Sequence, residues 1–249
     1  MSFSSEVKKE LCSVNVADTE QKKAELYGLL IFSKVFKKDK MVLSTEHSDV
    51  SKRATALLEE LYMPIIEKET ALRVRTTEHH LSKISLINSD DCARIFDDYG
   101  HHDNDISLRV NRANISSDEL VAAFLRGAFE GCGSVSDPMK SYHAEFCVPH
   151  KNLSVDLCKI LSEIPECDFT PKTVVRNGSY VVYFKGSEYF KYDYEKVIPQ
   201  LAKEGKLIEI NDSAFRYKKS CASNCVRIAE ICKKYGARIC VDTDSHYTH

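Results

Sequence analysis

The side chains best spaced for chemistry are His143 and Glu145, two apart in a stretch of alternating character, so that a strand would present both on one face. An imidazole beside a carboxylate can act as a general base or help to hold a metal. Glu130 is a second acid near a cluster of small residues, but it lies two positions before Cys132, about 200° around a helix, and so faces elsewhere. Ten cysteines are scattered through the 249 residues. None forms a Cys-x-x-Cys pair, and Cys221 and Cys225 stand four apart without a second pair at zinc spacing. No catalytic residue, metal site or cofactor is assigned.

Charge gives a second kind of chemistry. The formal net charge of −2 speaks against phosphate binding by bulk electrostatics, so local clusters must carry it. Across residues 214–240, Arg216, Lys218, Lys219, Arg227, Lys233, Lys234 and Arg238 face only Glu230, and this segment reads as a basic helix. Further bases fall on expected strands or their flanking turns: Lys34, Lys37, Lys38, Arg73, Arg75, Lys83, Arg109, Arg112, Lys140, Lys172, Arg176 and Lys185. Alternation puts Arg73 and Arg75 on one face. A solvated charged surface accounts equally well for any one of them, since Lys and Arg are mostly exposed.

The elements that must position these residues follow from periodicity. Hydrophobic residues make up 43% and charged residues 29%, so the chain folds rather than staying disordered. Charges at Glu6, Lys8, Lys9 and Glu10 interrupt any apolar run at the start, leaving no secretory signal. With no export signal the thiols are expected to be reduced and the location cytoplasmic. Two segments, 24–32 (AELYGLLIF) and 123–131 (AFLRGAFEG), repeat Ala, Leu and Gly at an offset of 99 residues. Both read as helices, opened by capping boxes at residues 18–21 and 116–119. Ala24 and Gly28, and Ala123, Gly127 and Gly131, fall four apart on one face. Glycine inside a helix costs up to about 1 kcal/mol, so its repeated use predicts that these two helices pack closely against each other.

After each helix the pattern runs strand, helix, strands. In the first half this predicts strands at 41–45, 65–75 and 83–87, a helix at 49–62 and a short helix at 90–99. In the second it predicts a hairpin over 133–148 turning at Ser136-Asp137-Pro138, a helix at 152–163, strands at 169–176 and 179–184 joined by Asn177-Gly178, and a helix at 187–203. The polar stretch 101–114 joins the halves, and 106–110 alternates well enough for a short strand.

The pattern Leu-x-Gly-x-x-x-x-x-Gly, present at 125–133 and more loosely at 26–34, resembles the LAGLIDADG signature. The stretch FLRGAFEGCGSVSDPMKSYHAEF, residues 124–146, and the opening SFSSEVKKEL resemble more narrowly the WhiA family of bacterial transcriptional regulators. The resemblance implies an α+β, pseudo-twofold duplicated LAGLIDADG homing-endonuclease-like domain with two curved antiparallel sheets over residues 1–205, with repeats at 18–100 and 116–205. A short basic helix and tail follow over 206–249. Family members continue into a helix-turn-helix domain, for which the residues up to His249 leave no room. Active endonucleases of this fold carry an acid at the eighth motif position of each helix; here those positions are Ser33 and Cys132, neither a carboxylate ligand for magnesium. The resemblance therefore implies a catalytically inactive scaffold and a DNA-binding regulator or accessory factor linked to sporulation or cell division. Its expected partners are double-stranded DNA and a sigma factor or another transcription regulator. Residues expected to face DNA are Lys34, Lys37, Arg73, Arg75, Arg109, Arg112, Lys140, His143, Lys172, Arg176, Arg216, Lys218, Lys219 and Arg227. A magnesium-dependent endonuclease and a protein-interaction module are the alternatives.

Overall fold

Two capped helices organise the structure. Asp18 accepts the Gln21 N–H at 2.8 Å and starts α2 (Thr19–Ile31), while Ser117 accepts the Leu120 N–H at 3.4 Å and starts α5 (Asp118–Cys132). Helix α2 is buried continuously from Ala24 to Ile31, so it is apolar on nearly every side, as an interior helix must be. In this computed structural model, residues 2–74, 78–103, 107–138, 143–164, 170–185, 194–211 and 222–242 are described.

The close packing expected from the small residues is present and reciprocal. A Cβ added at Gly28 would overlap the carbonyl oxygen of Phe124 and lie 2.7 Å from Ala128 N. One added at Gly127 would overlap the carbonyl oxygen of Glu25 and lie 2.8 Å from its carbon. Gly28 with Phe124 and Gly127 with Glu25 are the same contact carried across the 99-residue offset, which is what a local twofold axis between α2 and α5 requires. Gly131 differs, because a Cβ there would meet Leu29 at 3.6–3.7 Å, an ordinary van der Waals distance.

Each central helix leads into a sheet of the same topology. In the first half β1 (Val35–Lys37), β2 (Lys40–Thr45), β3 (Ile66–Val74) and β4 (Glu78–Leu86) form an antiparallel sheet ordered β1-β2-β4-β3. In the second, β5 (Gly133–Val135), β6 (His143–Val148), β7 (Lys172–Arg176) and β8 (Ser179–Lys185) repeat it as β5-β6-β8-β7. The β7–β8 turn uses Asn177 and Gly178, both at positive φ (51° and 79°), the conformation a two-residue hairpin demands. Helices α3 (Ser48–Tyr62), α4 (Ser89–Asp98) and α6 (Lys151–Ser162) join α2 and α5 around one core, with Tyr27, Leu29, Phe124, Leu57, Ile95, Phe146, Leu157 and Val182 among its buried members. An N-terminal helix α1 (Phe3–Cys12), capped by Ser2, also packs here. Neither it nor the three-residue β1 is among the elements expected from periodicity.

The connector is held by polar contacts instead of strand pairing. Among its described residues, 107–111 form no strand and 112–115 form a 3-10 turn, in place of the short strand expected over 106–110. Buried Tyr27 shares a hydrogen bond with His101 Nε2 (2.9 Å), and its hydroxyl accepts the Asn111 N–H (2.8 Å). Arg109 grips Asp156 with two bonds of 2.9 and 2.6 Å, and Asp156 also accepts the Val110 N–H.

The chain divides into two compact units, 1–185 and 186–249. This division falls ahead of the 205/206 boundary read from the sequence, because α7 (Tyr194–Lys203) packs on α8 (Ala222–Tyr235) in the second unit. Helix α8 is the described part of the expected basic helix. It links β9 (Leu207–Asn211) and β10 (Arg238–Asp242), a parallel pair that sequence reading missed, and the unit's small core holds Ile198, Ile231 and Cys232. No helix among the described residues is long and apolar enough to cross a membrane.

The glycine contacts predict opposite outcomes for one chemical change. Gly127→Ala should destabilise the fold by about 3 kcal/mol or more, since backbone must move on both helices. Gly131→Ala should be neutral or stabilising by up to about 1 kcal/mol, because the added methyl fits and alanine favours the helix. Urea unfolding of the two variants checks this, and equal midpoints would refute the close crossing.

Candidate functional site

Strand register sorts each sheet into two faces. In the first, Phe36, Met41, Leu43, Ile84 and Leu86 point into the core, which places Lys37, Lys40, Ser44, Glu67, Glu69 and Lys83 on the face away from the helices. In the second, Ala144, Phe146, Val148 and Val182 are buried, and the opposite face carries His143, Glu145, Lys172, Arg176, Tyr183 and Lys185. Val42 and Val181 share these outer faces but are buried. Arg73 takes the register position opposite His79, in phase with Lys37 and Lys83.

The second sheet's outer face is a connected polar surface. His143 Nε2 and Glu145 Oε2 are 3.0 Å apart, and Arg176 approaches the same carboxylate at 3.3 Å. Lys185 Nζ stands 5.6 Å from the centroid of the Tyr183 ring, which also lies beside His143. Lys172, Arg176 and Lys185 are exposed against one carboxylate, so positive charge dominates. On the first sheet Lys83 is paired with Glu69 at 2.8 Å, and Glu67 offsets a further charge.

The other predicted bases are dispersed. Arg109 and Arg112 are committed on the helical side, Arg109 to Asp156 and Arg112 to Glu163 (2.8 Å). Lys38 lies between Asp97 (3.6 Å) and Asp103 (3.1 Å). Arg227 is exposed on α8 in the second unit. Arg75, Lys140, Arg216, Lys218 and Lys219 lie outside the described residues.

Where α2 and α5 end, a cavity of about 270 Å³ is lined by Ser33, Cys132, Lys8, Lys34, Ser44, Cys147 and neighbouring apolar groups. The two eighth motif positions therefore do come together. Neither carries charge: Ser33 Oγ donates to Val35 O at 3.2 Å, and burial pushes the Cys132 thiol up to about 12. Beside them lies an ammonium that sequence reading missed. Lys8 is 6% exposed and its Nζ donates to the Glu130 carbonyl oxygen at 3.0 Å, capping the last turn of α5. The available signal was the opening segment itself, whose Ser2 cap and charged spacing mark a helix.

Two buried acids flank this region. Glu25, fully buried, receives Arg53 at 2.5 and 2.8 Å and Arg126 at 3.1 and 2.7 Å, joining α3 and α5 to α2. Removing one member of such a buried set costs about 3–5 kcal/mol, because a charge is stranded. Glu130 is also fully buried, and among the described residues the only hydrogen-bonding group beside its carboxyl is the weakly donating Cys12 thiol.

Comparison with known proteins shows what this geometry resembles. Residues 121–192 match the family model of the WhiA LAGLIDADG-like domain. The probable cell division protein WhiA of Alkaliphilus metalliredigens is 30% identical over 195 residues, covering 74% of this chain and 61% of that protein. The chain thus spans about three-fifths of that relative's length. The crystal structure of the N-terminal LAGLIDADG domain of DUF199/WhiA superposes with a TM-score of 0.56 at 19% identity, covering 76% of this chain and 86% of that one. Full-length DUF199/WhiA from Thermatoga maritima gives 0.57 at 18% identity, covering 92% and 75%. These likenesses establish the α+β LAGLIDADG-like fold.

Glu130 yields a pH prediction. Burial, then the negative charge of Glu25, raises its carboxyl from 4.5 to about 8. Between those values the unfolded chain releases the proton and the folded chain keeps it, so stability falls as pH rises from 4.5 and levels off above about 8. Glu130→Gln should flatten this dependence. Thermal midpoints of both proteins at intervals from about pH 4 to about pH 9 measure it, and parallel curves would count against a buried neutral acid.

Proposed function

This chain is a homologue of the WhiA proteins with their LAGLIDADG-like fold, and from that premise we propose that it is a DNA-binding regulator or accessory factor of the cell-division class whose endonuclease-like centre is catalytically silent. The observation that carries the reading is the outer face of the second sheet, where Lys172, Arg176, Lys185 and His143 converge against a single carboxylate. Duplex DNA matches such a surface, since exposed bases on a pleated face can each neutralise a phosphate. Lys37 on the first sheet and Lys34 at the cavity rim are further phosphate contacts in this proposal, while Lys83 is already paired with Glu69. Arg227 and the basic segment around it are a second contact in this proposal, and a sigma factor or other regulator is its protein partner. The setting is cytoplasmic.

Silence of the centre follows from its side chains. A hydroxyl, a neutral thiol and an ammonium converge where the fold's nucleases place acids, and a cation beside the site opposes magnesium. Supercoiled plasmid incubated with magnesium should stay supercoiled. Nicking that disappears in Glu145→Gln would overturn the assignment.

Binding is tested by gel retardation of duplex DNA across a salt series. Removing one phosphate-binding base should reduce the slope of log K against log salt by about 0.9. Substituting Lys172, Arg176 and Lys185 together by Ala should therefore flatten the slope by about 2 to 3 and weaken binding at least tenfold. Arg112→Ala, which breaks a helix-side ion pair, should leave the slope unchanged. No retardation at low salt would sink the reading.

A further inference from the structure

We propose that the cavity at the ends of α2 and α5 binds a phosphate oxyanion, with the Lys8 ammonium as its principal donor and Lys34 and Ser44 completing the site, and that on duplex DNA the bound group is a backbone phosphodiester. The duplex half of this proposal rests on the DNA-binding reading above; the oxyanion half does not.

The argument begins with an uncompensated charge. Lys8 is 6% exposed, and of its three N–H donors one is accounted for, on the Glu130 carbonyl oxygen. No other acceptor meets it among the described residues. A buried cation ordinarily has a carboxylate partner, because burial without one costs several kcal/mol. Here the cavity lining contains no Asp or Glu among the described residues. The acidic groups closest in electrostatic terms, Cys132, Cys12 and Glu130, are all held neutral by burial, with the two thiols pushed up to about 12 and the carboxyl to about 8. Burial correspondingly lowers the Lys8 ammonium below its ordinary value, as expected for a charge with no counter-ion.

The rest of the lining suits an anion. Lys34 is exposed at the rim and adds a second positive charge. The exposed Ser44 hydroxyl can donate, and Ser44 lies on the outer face of β2, opposite Lys83, so the cavity borders the outer face of the first sheet. Direct ammonium contact would then do what a metal ion does in a nuclease, positioning the phosphate, without polarising it for cleavage.

Two variants test the site without depending on one substitution. Lys8→Met removes the ammonium and the α5 cap together; Ser44→Glu keeps both and places a carboxylate at the exposed rim. The first arm compares thermal midpoints in inorganic phosphate and in chloride at matched ionic strength. The wild type should rise by a few degrees in phosphate, whereas both variants, folded by circular dichroism, should not. The second arm repeats the duplex salt series. Each variant should lower affinity about three- to tenfold near 0.1 M salt, and Lys8→Met should reduce the slope by about one phosphate's share. An identical phosphate response in all three proteins overturns the site. A phosphate response abolished in the variants, with unchanged duplex binding, overturns the phosphodiester and leaves a free phosphate as the ligand. If the wild type binds no duplex, the DNA-binding reading fails while the first arm still decides the site.

Discussion

The backbones of α2 and α5 touch, and most of the first unit is arranged around that contact. Gly28 and Gly127 each place bare Cα against the partner's carbonyl, a distance no side chain permits. Because the contact is reciprocal across the 99-residue offset, it sets a local twofold axis, and each half then repeats the same course of strands and helices. The axis also brings Ser33 and Cys132 to one cavity, since both follow their glycine by five residues. A fold whose site straddles a helix crossing has its chemistry decided by whatever those last helical turns carry.

Here the two positions that meet at the cavity, Ser33 and Cys132, carry no acid, and the charge beside them is an ammonium. Lys8 reaches the end of α5, where the helix presents unpaired carbonyl groups and partial negative charge, and an ammonium is stabilised there for the same reason that lysines favour helix C-termini. The acids that the halves do contribute are buried and serve packing: Glu25 is locked between two arginines, and Glu130 stays protonated over much of the neutral range. The crossing thus brings together a hydroxyl, a thiol and an ammonium, with no carboxylate among the described residues of the cavity lining.

How much of this was legible follows from the range over which each signal acts. The two central helices, their small-residue faces, the Asn177-Gly178 turn and the bounds of α3, α4 and α6 within one or two residues follow from local periodicity and caps, and the structure shows them. The outer-face placement of Lys172, Arg176 and His143 follows from alternation once the strands are known. Other features depend on contacts distant in sequence. Nothing local to Lys8 says that its ammonium meets residue 130, and nothing local to Arg109 says that Asp156 will claim it. The parallel pair of β9 and β10 closes across a whole helix, so neither strand has a hairpin partner to announce it.

The near-neutral net charge is reconciled with a cationic face by where the acids lie. Asp156 on α6 and Glu163 at its C-terminal end, and Asp97 on α4 with Asp103 beyond it, are occupied with Arg109, Arg112 and Lys38 on the helical side of the first unit. Glu60 and Asp98 draw in Lys22 and Lys23 in the same way. Screening at physiological salt limits such charges to about 8 Å, so an acid on a helix does little to the field across the sheet from it. What a phosphate would meet is the local register of β6, β7 and β8, where Lys172 and Arg176 share one face of β7 and one carboxylate is already divided between His143 and Arg176. Charge segregated by strand alternation, and not charge in total, is therefore the quantity that decides whether this face can hold a polyanion.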